Sequence, residues 1–266
     1  MLLLVASILV LFLLNLFLGS VHIPMDSIWN ILWGLDGDES VIWQNIIWKS
    51  RIPQSLTALV AGAGLAVSGL QMQTVFRNPL AGPSVLGISS GASLGVAFVV
   101  LLSGSIGGIA LSRLGFMGEI ALTVAAIVGA LSVMALIVYV SQKVHGNVTL
   151  LIIGVMIGYV ANAVIGVLKF FSVEEDIRAY VIWGLGSFAR VSGNQVTVFI
   201  CIMAVLLPLS FLLIKTLNLL LLGDAYARNL GLNIKRARLQ VIACSGVLVA
   251  IVTAYCGPIT FLGLAV

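Results

Sequence analysis

The sequence predicts an all-α, polytopic integral membrane protein. Hydrophobic residues make up 61% of its 266 residues and charged residues only 8%, and the mean hydropathy is +1.21. A water-soluble domain carries about 25% charged residues, so this chain lacks the polar surface that water requires. Apolar runs close to the roughly 20 residues that cross a bilayer recur along the chain, with charged segments between them.

The apolar runs predict seven membrane-spanning helices, and an eighth begins near Pro258. The seven lie near residues 2–18, 54–76, 84–103, 117–140, 148–168, 196–214 and 239–256. The first run has no basic segment before it and no clean cleavage site after it, so it is interpreted as a helix rather than a signal peptide. We expect one transmembrane domain over residues 1–266, incomplete at its C-terminal end.

The charges between the spans predict the orientation. Lysine and arginine are almost evenly divided between the two faces, but a basic cluster at 235–238 lies directly beside a span. Acidic residues concentrate on the other face, at 36–39 and 174–176. Because basic residues next to span ends remain in the cytoplasm, the segments after the second, fourth and sixth spans are predicted to be cytoplasmic. This orientation puts the N-terminus, Arg77, His145 and Arg228 inside.

Several spans carry small residues at intervals of four. Gly87, Gly91 and Gly95 form one such stripe, and residues 154–166 form another in which Asn162 replaces a glycine. Small residues at this spacing allow helices to approach closely in lipid. We therefore expect these helices to face other protein segments, and we regard Asn162 as a candidate residue of a transport pathway.

Composition and motifs exclude several functions. No acidic or basic residue lies near the middle of a span, which argues against proton-driven transport but leaves sodium coupling through backbone carbonyls open. The phosphate-binding pattern GxxxxGK[ST] is missing, so the chain cannot bind ATP phosphates in the usual way, and the energy for any uphill transport would come from a partner. The cysteines and histidines fit no metal or redox spacing, and the charge is too small for nucleic-acid binding. We expect no catalytic residue, cofactor or metal site, and no nucleic-acid partner.

The loop RNPLAGPSVLG, residues 77–87, separates two apolar runs. Pro79 and Pro83 each fix a backbone angle, remove an N–H donor and disfavour helix in the preceding residue. The loop is therefore predicted to be stiff.

The longest predicted cytoplasmic segment covers residues 217–238. It contains a predicted short helix from Asp224 to Asn229, ended by Gly231 at the position after the cap. Leu222, Ala225 and Leu230 give this helix an apolar side, and Arg228 and the basic cluster give it a polar side. Such a helix could bind a partner protein, or it could rest on lipid headgroups.

Five stretches of the chain resemble the permease subunits of ABC importers for iron-siderophore, haem and cobalamin, the FecCD-type family. They are RIPQSLTALVAGAGLAVSG (51–69), QTVFRNPLAGPSVLGISSGA (73–92), WGLGSF (183–188), LLGDAYARNLGL (221–232) and CGPITFLGLAV (256–266). The resemblance implies ten helices in a full-length member, of which about seven to eight lie in this chain.

The resemblance also implies roles for particular residues. The cytoplasmic gate would comprise Asn78, Pro79, Leu80, Asn147, Val148 and Thr149. The helix that couples the permease to its ATPase would include Gly223, Asp224, Ala227, Arg228, Leu230 and Gly231. Arg51 and Gln54 would dock the substrate-binding protein, although Gln54 replaces an arginine that is frequent in the family.

The implied partners are two ATP-binding-cassette subunits, a periplasmic or lipid-anchored substrate-binding protein and a second permease subunit, in the lipid of the inner membrane. The chain itself would be a transport subunit rather than an enzyme. The residues do not distinguish between siderophore, haem and cobalamin. A secondary active transporter with discontinuous helices is the alternative, and a membrane enzyme is a more distant one.

Overall fold

The computed structural model describes residues 2–19, 21–34, 41–107, 116–144, 147–191 and 193–265. The acidic stretch 36–39 and His145, to which the sequence assigns opposite faces, lie outside these residues. Within the described ranges the regular elements are helical, as predicted.

The α-helices are α1 (Leu2–Phe17), α2 (Met25–Trp33), α3 (Val41–Ile46), α4 (Ile52–Phe76), α5 (Ile88–Gly107), α6 (Phe116–Lys143), α7 (Asn147–Phe170), α8 (Glu174–Gly184), α9 (Asn194–Phe211), α10 (Ile214–Leu221), α11 (Asp224–Asn229) and α12 (Ile234–Cys256). A π-helical turn, Ile47–Arg51, joins α3 to α4, and short 3₁₀ turns occur at Pro83–Leu86, Phe188–Arg190 and Leu262–Leu264.

The seven predicted spans correspond to α1, α4, α5, α6, α7, α9 and α12. Five continuous helical stretches of the described chain are long and apolar enough to cross a membrane, and α1 and residues 88–102 are shorter apolar helices. The third predicted span begins too early, at residue 84. Gly87 has a φ of 73°, which interrupts the helix, and α5 starts only at the next residue.

Contacts among the described residues divide the chain into two units. The first unit comprises residues 1–60 and 188–201. Its buried core contains Ile23, Ile28, Ile31 and Ile47, against which partly buried side chains from α1, α2 and α3 pack.

The second unit comprises residues 61–187 and 202–266. In it α5 and α6 pack closely because both present small residues at the contact. A Cβ atom added to Gly91 would lie 2.7 Å from the carbonyl oxygen of Gly129, and one added to Gly95 would overlap Ala125. The predicted close approach of a small-residue stripe is confirmed at these positions.

Helix α12 is the most buried span of the second unit, and polar side chains join it to α4. The hydroxyl oxygens of Ser68 and Ser245 are 2.6 Å apart, and each also lies within 3.3 Å of the other residue's carbonyl oxygen, so the two hydroxyl protons are shared among these contacts. Gln71 donates to the sulfur of Cys244 at 3.7 Å. These bonds satisfy the buried serine hydroxyls and the amide N–H of Gln71, whereas Oε1 of Gln71 is buried without a hydrogen-bond partner.

Candidate functional site

The short helix α11 spans Asp224–Asn229, the bounds that the sequence predicts. Gly223 precedes it with φ 107° and ψ 152°, a backbone conformation that essentially only glycine adopts. Gly231 follows the cap with φ 84°. The N–H of Gly231 donates to the carbonyl of Arg228, and that of Leu232 donates to Ala227, each at 3.0 Å. This pair of bonds is a Schellman motif, so both ends of the helix are defined by glycine.

Most side chains of α11 point away from the rest of the second unit. Ala227 is fully buried, whereas Leu222, Tyr226 and Leu230 are 60%, 69% and 63% exposed. The sequence interpretation identifies Leu222 and Leu230 as apolar positions but omits Tyr226. Tyr226 and Leu230 are four residues apart, an interval at which side chains share one side of a helix, and this spacing was the available signal. Leu222 lies before the break at Gly223. Together the three side chains form an exposed apolar surface beside Arg228.

The loop 77–87 has an exposed first half and a buried second half. Arg77 ends α4 in the left-handed conformation, with φ 50°, and the N–H of Asn78 donates to the carbonyl of Gln73 at 3.2 Å. The Asn78 side chain then accepts the N–H of Leu80 at 2.9 Å. Pro83 begins a buried 3₁₀ turn. The predicted stiffness therefore has two sources, the prolines and local hydrogen bonds.

Asp224 joins this loop to α11 and α12. Its Oδ1 lies 2.6 Å from Nη2 of Arg77, and its Oδ2 lies 2.6 Å from Nη2 of Arg238. Exposed ion pairs contribute only about 0.2–1 kcal/mol each, so their main effect is to fix positions. Two segments that the sequence assigns to one membrane face, the loop and residues 217–238, meet at this carboxylate.

A groove of about 220 Å³ lies between the loop residues 84–90 and the face of α7 that carries Gly154, Gly158 and Asn162. The loop approaches α7 closely there, since a Cβ on Gly154 would lie 2.9 Å from the Cα of Leu86. A Cβ on Gly166, in contrast, would meet no atom within 4 Å. Asn162 is exposed, as a pathway residue would need to be.

The two predicted gate segments are both accessible. Leu80 is 75% exposed and Val148 is 71% exposed, and Thr149 is also exposed. The close approach of the loop to α7 occurs farther along, between residues 85–87 and 154–158. Asn78, Pro79 and Leu80 therefore remain predicted gate residues, as do Asn147, Val148 and Thr149 at the start of α7.

Arg51 lies in the first unit in a position that sequence reasoning did not anticipate. It is only 5% exposed, and its guanidinium donates to the carbonyl oxygens of Leu16, Phe17 and Val21. Gln54, one turn further, is partly buried. These bonds join the end of α1 to the start of α4, and docking of a partner's carboxylate on Arg51 would require the guanidinium to leave these carbonyls. Arg51 and Gln54 remain predicted docking residues.

Within the described part of the chain, His, Cys, Asp and Glu side chains form no cluster of three or more that could hold a metal ion. The site is thus built from an exposed short helix, a stiff loop, an ion-pair network and a groove.

Comparisons with known proteins agree with this description. The FecCD transport family matches residues 7–266. The hemin transport system permease protein HmuU of Yersinia pestis is 35% identical over 262 residues, which cover 97% of this chain and 75% of the relative. The vitamin B12 import system permease protein BtuC of Pectobacterium atrosepticum is 33% identical over 242 residues, covering 90% of this chain and 67% of the relative.

A solved structure gives the same result for the fold. A metal-chelate type ABC transporter in an inward-facing conformation superposes with a TM-score of 0.77 at 29% identity, covering 97% of this chain and 75% of the other. The relatives are permease subunits, which decides between the predicted permease and the two alternatives, a secondary carrier and a membrane enzyme. The chain is a polytopic transport subunit, and it belongs to the FecCD transport family.

Proposed function

We propose that this permease carries a metal chelate, an iron-siderophore or haem, or cobalamin across the cytoplasmic membrane in an ATP-driven importer. The names of its relatives support this substrate class, because they transport hemin and vitamin B12 and the similar structure is of metal-chelate type. Members of the class are large and bound as intact complexes. A wide pathway lined by small residues suits them better than a charged ion site.

The family implies ATPase, binding-protein and permease partners. For this chain we infer two ATPase subunits, one substrate-binding protein and a second permease, with residues 1–266 acting as one transmembrane domain. The N-terminus would be cytoplasmic, which puts the basic cluster 235–238 beside the inner leaflet.

The observation that carries the proposal is the construction of α11. A six-residue helix is too short to be stable alone, yet this one is capped by glycine at both ends and exposes Leu222, Tyr226 and Leu230. An exposed apolar surface with an aromatic and a neighbouring arginine is typical of a protein-binding patch. We infer that the ATPase binds here, and that Asp224, Ala227 and Arg228 orient the helix. Resting on lipid headgroups is the competing role.

The loop and the groove would form the pathway. Leu80 and Val148 are exposed apolar side chains that could meet across a cytoplasmic constriction, and the stiff turns around Asn78 would hold Leu80 in place. Asn162 would lie along the route of the substrate, at the groove beside α7.

Reconstitution would test the proposal. The chain would be incorporated into liposomes with its cognate ATPase and binding protein, and haem, cyanocobalamin and a ferric hydroxamate would be offered in turn. We expect ATP-dependent accumulation of one of these, abolished when the ATPase's nucleotide-binding lysine is replaced. Accumulation driven by an ion gradient without ATP would contradict the proposal.

A further inference from the structure

The side chain of Arg77 contacts residues that precede and follow Gly223, the residue directly before α11. Its Nη2 lies 2.6 Å from Oδ1 of Asp224 and 3.4 Å from the carbonyl oxygen of Leu220, the last buried residue of α10. Gly223 itself has a glycine-only conformation and open space around its Cα. The arginine therefore contacts residues on both sides of Gly223, where the chain passes from α10 to α11.

Asp224 has a second partner on the opposite side. Its Oδ2 accepts a hydrogen bond from Nη2 of Arg238, in the second turn of α12. Charge-assisted hydrogen bonds of this kind have defined directions, so one carboxylate holds two guanidinium groups in place. Because Ser68 and Ser245 join α4 to α12 within the core, the two arginines extend from the ends of a connected helix pair.

The backbone beyond Arg77 is suited to transmit movement. Asn78 is bonded back to Gln73 and forward to Leu80, and Pro79 between them has a fixed φ. A displacement of Arg77 is therefore passed on to Leu80 instead of being absorbed in a flexible loop.

We propose that Asp224 is a positioning residue that links the ATPase-binding helix to the gate loop. When α11 moves, the Asp224 carboxylate moves with it and displaces Arg77 through the ion pair. The turn that follows Arg77 then displaces Leu80. Arg238 limits the travel because it holds the other oxygen. This inference rests on the proposed function, in which α11 binds the ATPase and Leu80 belongs to the gate.

The test follows the gate loop directly. A single cysteine at Leu80, in a chain whose three native cysteines are replaced, would be labelled from the cytoplasmic side in the assembled complex. The labelling rate would be compared without nucleotide and with Mg-ATP and vanadate. In the otherwise unchanged complex we expect the two rates to differ by about fivefold or more, the lower range of usual coupling between sites.

Asp224→Asn should remove most of this difference when the ATPase is supplied at a saturating concentration, so that any weaker binding is compensated, and Asp224→Glu should restore part of it. Arg77→Gln should act like Asp224→Asn, and the double variant should be no worse than either single variant, because both remove the same link. Lys235→Gln is the matched control, since it removes an exposed charge from the same region and should keep the full response.

Two results would be negative, and they are distinguishable. An unaltered nucleotide response in Asp224→Asn, or additive effects of the two single changes, would overturn the positioning role alone. A parent complex that fails to assemble with the ATPase, or whose labelling is insensitive to nucleotide, would overturn the proposed function and this inference with it.

Discussion

Two helix ends in the second unit adopt the same left-handed turn with different residues. At the end of α11 the turn residue is Gly231, with φ 84°, and at the end of α4 it is Arg77, with φ 50°. Glycine reaches this conformation without steric conflict, whereas other residues rarely adopt it and are destabilised by about 1 kcal/mol or more. Around Gly231 the neighbouring side chains are exposed, as the proposed binding of the ATPase requires. The arginine end directs a charged side chain to Asp224, so the strained residue occurs where an internal contact depends on it.

The largest expected effect concerns the membrane face that the two ends share. Single cysteines at positions 78 and 228, in a background without Cys201, Cys244 and Cys256, should both be labelled only from the cytoplasmic side. A cysteine at Glu175 should be labelled only from outside. The assay is the access of a membrane-impermeant thiol reagent in intact and in permeabilised cells. External labelling at position 228 would reverse the proposed orientation, and opposite labelling at 78 and 228 would contradict the observed contact.

The next largest effect is expected when Gly231, at the end of α11, is replaced. Gly231→Val should reduce ATPase binding by about tenfold or more, since a β-branched residue is strained at this φ by about 1–3 kcal/mol. The surroundings are open, so strain rather than a clash is the cause. Binding would be measured with the purified subunits in detergent.

Gly231→Asn is the matched control for that substitution, because asparagine tolerates the left-handed region better than other side chains. It should retain most of the ATPase affinity, and circular dichroism should report folded spans for both variants. Normal assembly and normal stimulated hydrolysis in Gly231→Val would favour an α11 that only rests on lipid.

A smaller effect is expected on the exposed surface beside the glycine end. Tyr226→Ser should weaken ATPase binding by about tenfold, because an exposed aromatic that becomes buried in an interface contributes about 1–2 kcal/mol. Thermal stability should not change, since the side chain is 69% exposed in the free chain. Tyr159, a similarly exposed tyrosine on α7, provides the control: Tyr159→Ser should leave ATPase binding unaltered.

The smallest effect tests the arginine end. Arg77→Gly relieves the strained backbone and removes the contact with Asp224, and these opposing contributions are each about 1 kcal/mol. The midpoint of thermal unfolding should therefore stay nearly constant, whereas Arg77→Val should lower it because it keeps the strain and loses the ion pair. A marked destabilisation by Arg77→Gly alone would mean that the ion pair, and not its geometry, is what matters.

Hydropathy and turn residues were sufficient to predict much of this fold. The bounds of α11 and the cap at Gly231 could be predicted because a glycine ends a helix through its own backbone conformation, which depends only on neighbouring residues. The predicted span 54–76 matches α4 closely because a long apolar run is also a local feature of the sequence. Helices α2 and α8 were missed because, with 9 and 11 residues, they are too short to be found by a search for membrane spans.

The candidate site was less accessible to prediction than the fold. The contact between Arg77 and Asp224 joins residues 147 positions apart, and no local pattern encodes such a pairing. The burial of Arg51 has the same origin, since its carbonyl partners lie 30 to 35 positions earlier. The charged residues can be read from the sequence, but only the packing of distant helices determines which of them form contacts.

The hydrogen bonds between α4 and α12 also constrain how the protein is made. Ser68 and Ser245 are 177 positions apart, so α4 is synthesised and inserted long before its partner exists. Until then Ser68 and Gln71 lack their α12 contacts in an environment where unsatisfied polar groups are costly. Helix α4 thus enters the membrane well before it can make these contacts. The second unit can close around α4 only when α12 has entered the bilayer, which makes arrival of α12 a late step of biogenesis.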